Sequence, residues 1–382
     1  MLPYSYTARN VVRAPARLVQ LVVGTALVVL LVVAAAAFQA GMTRSLRDSG
    51  DPTTVMLLGL GSENSQERSA IFETVPGVAA AGMSGVATVR DRPLVSGEIY
   101  HMGMLGPARD DLRQGLVRGV GPLAVAVHGI EIIAGRFPGP DEIMLGRRAA
   151  GHLGLEPEQA RLGAVLYFED HPYVVSGWFS AGGSLKEAEC WLDVQDLMAR
   201  SQRQSLSVAM VRMSSFEDVA EAELFATRRL DLEVAAVDER SYYRAMQAYM
   251  APVRMMVWAT AILIALAATM GGLNTLYTAF IARRRECAVL QVLGFRPWMI
   301  FLSLLLESLL ATALGTSLAL VLALVLLDGQ QVVFTLGVFE LILSPGVLLL
   351  GLATGLGLGA LGMLTPALRC LGGAIPDGLR SA

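Results

Sequence analysis

Residues 274–315 read NTLYTAFIARRRECAVLQVLGFRPWMIFLSLLLESLLATALG. An apolar run without charge ends at Arg283, Arg284, Arg285 and Glu286. Ala288, Val289, Val292 and Leu293 then recur at helical spacing, leaving Glu286 and Gln291 to face water. Gly294 fits a helix stop, because a residue without Cβ takes the left-handed cap conformation at little cost. Pro297 fits a helix start, where its missing N–H loses no intrahelical bond. A second apolar run follows at once. The stretch predicts two long apolar helices joined by a basic, amphipathic elbow. The positive-inside rule accounts for the arginines but not for the ordered apolar spacing behind them. A short helix of this kind between two membrane spans is suited to dock in the groove of a partner.

Working outward, four runs exceed the roughly 20 residues needed to cross a bilayer. Leu18–Thr43, Met255–Ala282 and Leu341–Leu368 hold no charged residue, and Pro297–Leu327 holds one, Glu307. The chain is 54% hydrophobic and only 16% charged, against about a quarter charged in soluble domains. Its net charge of −3 says little as a total, because the charges are unevenly placed. Arg9, Arg13 and Arg17 precede the first run without an acid, and Arg283–Arg285 with Arg296 lie between the second and third. Only Asp328 and Glu340 lie between the third and fourth. Basic connections stay in the cytoplasm. The prediction is therefore a cytoplasmic segment 1–17, transmembrane helices 18–43, 253–282, 297–327 and 341–368, an outer domain 44–252, a cytoplasmic coupling helix 283–296, an outer loop 328–340 and a cytoplasmic tail 369–382. The first run exceeds the about 7–15 residues of a signal-peptide core, so it reads as an anchor.

Of three cysteines, only Cys190 falls in the outer domain, which must fold on its own core, as one body or two lobes. Its pattern is α+β. It predicts helices over Glu63–Thr74 with Ser62 as cap, Arg147–Leu153, and Phe216–Arg229 capped by Ser214 or Ser215. Strands are expected over Val78–Val89, Ser205–Arg212 and Leu232–Val237, and a hairpin from Ala164–Phe168 and Tyr173–Phe179. No nucleophile–base arrangement stands out. His101, Met102 and Met104 are donors suited to copper(I), against the plainer reading of a turn with a filled Met pocket; no metal site is assigned. Tyr242, Tyr243, Met246, Tyr249 and Met250 precede the second membrane run, and read as an interfacial belt rather than a substrate-contacting stripe.

Among the polar residues within the spans, Asn274 and Glu307 stand out. Glu307 lies ten residues past Pro297, about 15 Å into its helix. A charge there costs at least ~3 kcal/mol, so Glu307 is expected to be protonated, paired or turned to an interior, as pivot, substrate contact or packing residue. Ala311, Gly315, Ala319 and Ala323 repeat every four residues, as do Gly351, Gly355 and Gly359. Small residues so spaced let helices approach closely, within one chain or between two. No G-x-x-x-x-G-K-[ST] loop occurs, so the chain has no P-loop for nucleotide hydrolysis.

These residues resemble the permease family of FtsX, MacB and the LolCDE lipoprotein extractor, the mechanotransmission class of ABC transporters. Asn274, Arg284-Arg285-Glu286, Val289-Leu290, Leu293-Gly294 and Glu307-Ser308-Leu309-Leu310 with Gly315 resemble its second helix, coupling helix and third helix. Pro366–Arg369 with Ile375–Arg380 resembles its closing segment, and Gly135–Gly146 with the following hairpin resembles a MacB-type periplasmic core domain. The resemblance implies an α-helical membrane protein of the bacterial inner membrane, with four spans and an α+β domain between the first two. It implies a non-enzymatic permease without a fused ATPase. A separate ABC ATPase dimer, which binds ATP and Mg, would dock at Arg283–Glu286, Val289, Leu290, Leu293, Gly294 and Phe295. A second permease copy or a paralogue would pair with it, with a periplasmic adaptor and outer-membrane channel as further partners and no nucleic acid. The expected substrate is hydrophobic or lipid-type. Alternatives are an FtsX-like transducer that activates a cell-wall hydrolase, a LolC/LolE-like lipoprotein-releasing subunit, and a membrane-anchored sensor without an ATPase.

Overall fold

The computed structural model describes residues 15–282, 284–334 and 337–371, with the side chains of residues 17, 272–287, 333–337 and 365–371 outside the description. The chain divides into two compact units. A helical unit takes residues up to 41, 252–330 and 341 onward, and an α+β unit takes Met42–Ala251 and Gln331–Glu340.

Within the α+β unit most strands join one sheet. Helix α1, Pro15–Ser49, enters the unit at Met42 and leads to β1, Thr54–Gly59. Helix α2 is Val75–Gly82, followed by the ribbon β2–β3 of Thr88–Val89 and Arg92–Pro93. Then come β4, Val95–Ala108, and β5, Asp111–Val120. The short helix α3, Ala124–His128, precedes β6, Glu131–Gly135, and β7, Glu142–Gly146. Helix α4, Ala149–Leu153, precedes the hairpin β8–β9, Val165–Phe168 and His171–Ser180. A 3-10 turn, Leu185–Ala188, leads to β10, Cys190–Asp193, and helix α5, Val194–Ser201. Strand β11, Val208–Arg212, helix α6, Val219–Arg228, strand β12, Val234–Asp238, and helix α7, Glu239–Tyr249, follow.

The strand order is β12-β1-β11-β4-β5-β10-β7-β9-β6. Because β8 pairs with both β4 and β9, the strands β4, β5, β10, β7, β9 and β8 close into a ring. Strand β4 belongs to both parts: Val95–Glu98 pair with β11, and the pairing with β5 begins at Ile99. The unit stays undivided, against the alternative of two lobes: its main core runs from Val55 and Leu57 through Ile99 and Val117 to Leu145 and Cys190, and a second cluster gathers Val120, Met144, Phe179 and Trp191.

Several expected elements shift. Glu63–Thr74 is a series of turns, not a helix. There the Ser69 hydroxyl accepts from Gly59 N–H at 2.9 Å, and Ile71, 3% exposed, pairs with Leu206 as an isolated bridge. Burial of Ile71 in an extended pairing overrides helix propensity. The helix begins instead at Val75 and runs to Gly82, into the expected strand Val78–Val89, with Pro76 in its first turn and alanines behind it. Residues 328–340, expected as a loop, contain the antiparallel hairpin β13–β14, Gln331–Phe334 and Gly337–Glu340. It belongs to the α+β unit and buries Val338 and Phe339. Tyr242 and Tyr243 are buried in this unit, edge to face at 5.5 Å, and form no interfacial belt; Tyr249 is exposed. Helix α7 is capped by Asp238, whose carboxylate accepts from Ser241 N–H at 2.9 Å, and this orients both rings inward.

The helical unit is built on α1, α8 (Ala251–Ala282), α9 (Arg284–Val292), α10 (Pro297–Leu326) and α11 (Pro345–Leu371). Among the described residues four helices are long and apolar enough to cross a membrane: Leu18–Ser49, Ala251–Gly271, Pro297–Leu326 and Pro345–Leu364. Only helices satisfy every backbone polar group internally over such a length of apolar chain.

Candidate functional site

The elbow of the sequence is helix α9. Arg283 lies outside the described residues; Arg284, Arg285 and Glu286 are helical, with their side chains outside the description. After Val292 the helix stops at Gly294, which takes a φ of +90°. Phe295 N–H donates to the Leu290 carbonyl at 3.1 Å, so the reversal is hydrogen-bonded. Arg296 is extended, and Pro297 opens α10. The apolar positions split between two faces rather than forming one. Ala288 is buried, and Leu290 and Phe295 pack on Ile300, Leu304 and Met363. Val289, Val292 and Leu293 are 43%, 62% and 69% exposed. Gln291, expected to face water, is half-buried. Tertiary packing of Leu290 and Phe295 rotates the helix away from its simplest amphipathic arrangement. What remains is a small apolar patch beside three arginines in sequence, fixed to α10 from behind.

The expected packing residues lie inside the bundle. Ala311, Gly315, Ala319 and Ala323 are buried on α10. A Cβ on Gly315 would stand 2.6 Å from the Val22 carbonyl oxygen of α1. On α11, a Cβ on Gly355 would meet the Thr316 hydroxyl and one on Gly359 the Thr312 hydroxyl, while Gly351 faces Val33 and Leu320. Ser308 Oγ donates to the Gly359 carbonyl at 2.9 Å. Glu307 is 7% exposed. The side chain of Asn274 lies outside the description.

The α+β unit holds a buried charged assembly that sequence reading missed. Arg118, on β5, is fully buried. Its guanidinium donates to Glu98 of β4 at 3.1 Å and to Glu189 at 2.5 Å, and lies over the Tyr100 ring at 4.3 Å. His128 Nε2 sits 2.7 Å from the other Glu98 oxygen, and Trp191 Nε1 donates to Glu189 at 2.9 Å. Burial opposes ionisation of Glu98, but His128 and Arg118 outweigh it and hold the carboxyl at about 2. Burial pushes the His128 imidazole below its ordinary value, against the pull of Glu98. Strand alternation makes the assembly possible. Glu98, Tyr100, Arg118 and Trp191 point to the face opposite Ile99, Val117 and Cys190 of the core. A charge in each of two adjacent alternating strands was the available signal, but their partners are distant in sequence.

A second set of charges borders the first. Lys186, in the 3-10 turn, pairs with Glu239 at 2.8 Å, both nearly fully buried. Glu187 accepts from Ser180 Oγ, Ala181 N–H and Gly183 N–H at 2.9, 3.0 and 3.1 Å, and faces Arg148 at 3.5 Å. On β4, alternation puts His101 on the face opposite Met102 and Met104, so the three do not converge; His101 lies edge-on to Phe168 at 5.7 Å. Among the described residues no group of three or more His, Cys, Asp or Glu could hold a metal ion.

The family model for the MacB-like periplasmic core domain matches residues 19–224, and that for the FtsX-like permease C-terminal part matches residues 258–374. A comparison with curated proteins gives no match. Among solved structures, the periplasmic region of MacB from Actinobacillus actinomycetemcomitans is similar at 13% identity and a TM-score of 0.39, over 54% of this chain and 97% of that one. The extracellular domain of the noncanonic ABC-type transporter YknZ from Gram-positive bacteria is similar at 14% identity and 0.37, over 48% and 99%. A domain of a putative permease protein from Porphyromonas gingivalis is similar at 16% identity and 0.34, over 48% and 88%.

Proposed function

We propose, from the premise that this chain belongs to the FtsX/MacB-type family of ABC permeases and is a membrane protein with an extracytoplasmic domain, that it is the permease subunit of an ATP-driven transporter whose ATPase is a separate polypeptide. Helix α9 is the ATPase socket, facing the cytoplasm of a bacterial inner membrane. ATP binding and hydrolysis in the partner, with its Mg, move the α+β unit, which extracts or expels a hydrophobic or lipid-type substrate. Two permease subunits pair, and α8, whose Met255, Leu263 and Met270 are each about two-thirds exposed, is the helix offered to lipid and to the second subunit.

The observation that carries this reading is the exposed patch of Val289, Val292 and Leu293 on a helix held between two long apolar helices. Exposed apolar side chains that follow three arginines in sequence suit an interface with an anchor and a polar rim. The test is reconstitution of the chain with the ABC ATPase that co-purifies with it from native membranes. Leu293→Asp should weaken ATPase binding by at least about tenfold, the loss expected when an interface anchor is removed. Charge reversal at Arg284, Arg285 and Glu286 should abolish ATPase stimulation and leave membrane insertion intact. Unchanged stimulation in both variants would remove the socket.

A further inference from the structure

We propose that the 3-10 turn Leu185–Ala188 is the mechanical joint of the α+β unit, the point on which all four long helices act; this rests on the transducing role proposed above. Each long helix adjoins in the chain a segment that contacts this turn, directly or through Arg148. Helix α1 finishes at Ser49, and Leu185 N–H donates to the Ser49 hydroxyl at 2.8 Å. Helix α8 is preceded by α7, whose first residue, Glu239, holds Lys186 at 2.8 Å. The other Glu239 oxygen accepts from Asp51 N–H at 3.0 Å, so the exit of α1 and the entry of α7 share one carboxylate. Helices α10 and α11 are joined by the hairpin β13–β14. Its last residue, Glu340, pairs with Arg148 at 2.6 Å, and Arg148 also faces Glu187.

The turn is tied to the interior as firmly as to these segments. Glu189, directly after it, accepts from the buried Arg118 of β5, and β10 begins at Cys190 in the middle of the strand ring. A displacement of any one tether therefore reaches the ring through the backbone of residues 185–189. The Lys186–Glu239 and Arg118–Glu189 pairs are charged and buried, where an uncompensated charge is costly. Such contacts keep a fixed pairing while their backbones shift, unlike an apolar interface that slides.

The test uses the native complex of the chain with its ATPase, purified together into lipid nanodiscs. Amide hydrogen exchange is compared between the nucleotide-free and the ATP–vanadate-trapped states. The Leu185 and Asp51 amides should change their exchange rate by at least about tenfold, because local opening sets exchange, while Val117–Val120 of β5 keep theirs. A response at α9 with unchanged Leu185 and Asp51 amides would overturn the joint and spare the transport role. No response at α9 would overturn the transport role and the joint with it. The paired variant Lys186→Met with Glu239→Gln keeps side-chain length and removes both charges. It should retain the response at α9 and reduce that at Leu185, which the Ser49 hydroxyl still holds; an undiminished Leu185 response would overturn the joint.

Discussion

Glu98 shows how one carboxylate couples the stability of the α+β unit to pH. Its folded value of about 2 lies below its ordinary 4.5, so it stabilises the fold above pH 4.5, and that contribution is lost as pH falls from there toward 2. His128 is depressed from 6.5, so below that pH the unfolded chain takes up a proton the folded chain refuses. Both groups lose stability toward acid, His128 first. Thermal melts of the full chain should therefore fall between pH 7 and 5, and His128→Gln should flatten that part of the curve while leaving the drop below pH 4.5. Arg118→Met would strand two buried carboxylates and should cost about 3–5 kcal/mol, measured by denaturant unfolding. None of this was legible from single residues. Charged side chains in a strand ordinarily read as solvent-facing, and Arg118 meets Glu98 and Glu189 only because β4, β5 and β10 lie side by side.

Elements were legible where one local signal dominated. The hairpin β8–β9 followed from its alternation, and the end of α9 from Gly294. The segment 63–89 was misread because Ile71 is extended by pairing with Leu206, a residue far along the chain. The small residues of α10 and α11 divide by what each faces. Gly315 abuts the Val22 backbone carbonyl, and Gly355 abuts the hydroxyl and the Cβ of Thr316, of which only the hydroxyl can turn away. Gly315→Ala and Gly355→Ala should therefore each destabilise the bundle by about 1–3 kcal/mol, the range for overpacking. Melting of both variants in detergent would check this, and an unchanged melting point for Gly315→Ala would contradict this packing of α1 on α10.

At the scale of the whole molecule, the hairpin between α10 and α11 is part of the α+β unit, although residues 252–330 of the helical unit separate it from the rest in sequence. Val338 and Phe339 are 1% and 3% exposed there. Each buried side chain of that size contributes about 1.5–3 kcal/mol. An excised fragment 42–251 should thus be less stable than the same fragment joined by a linker to residues 331–340, and equal melting points would show that the hairpin adds nothing. The sequence alone determined that the chain is a membrane protein, where its long apolar helices run and where the elbow falls, because crossing lipid demands uninterrupted apolar helices that no distant contact can replace. The tertiary structure alone decided which face of α9 stays open, that residues 331–340 complete the α+β unit, and that Leu185–Ala188 gathers Ser49, Glu239 and, through Arg148, Glu340. Those are pairings between residues far apart in the chain, and a buried charge carries no local mark of the partner that makes its burial tolerable.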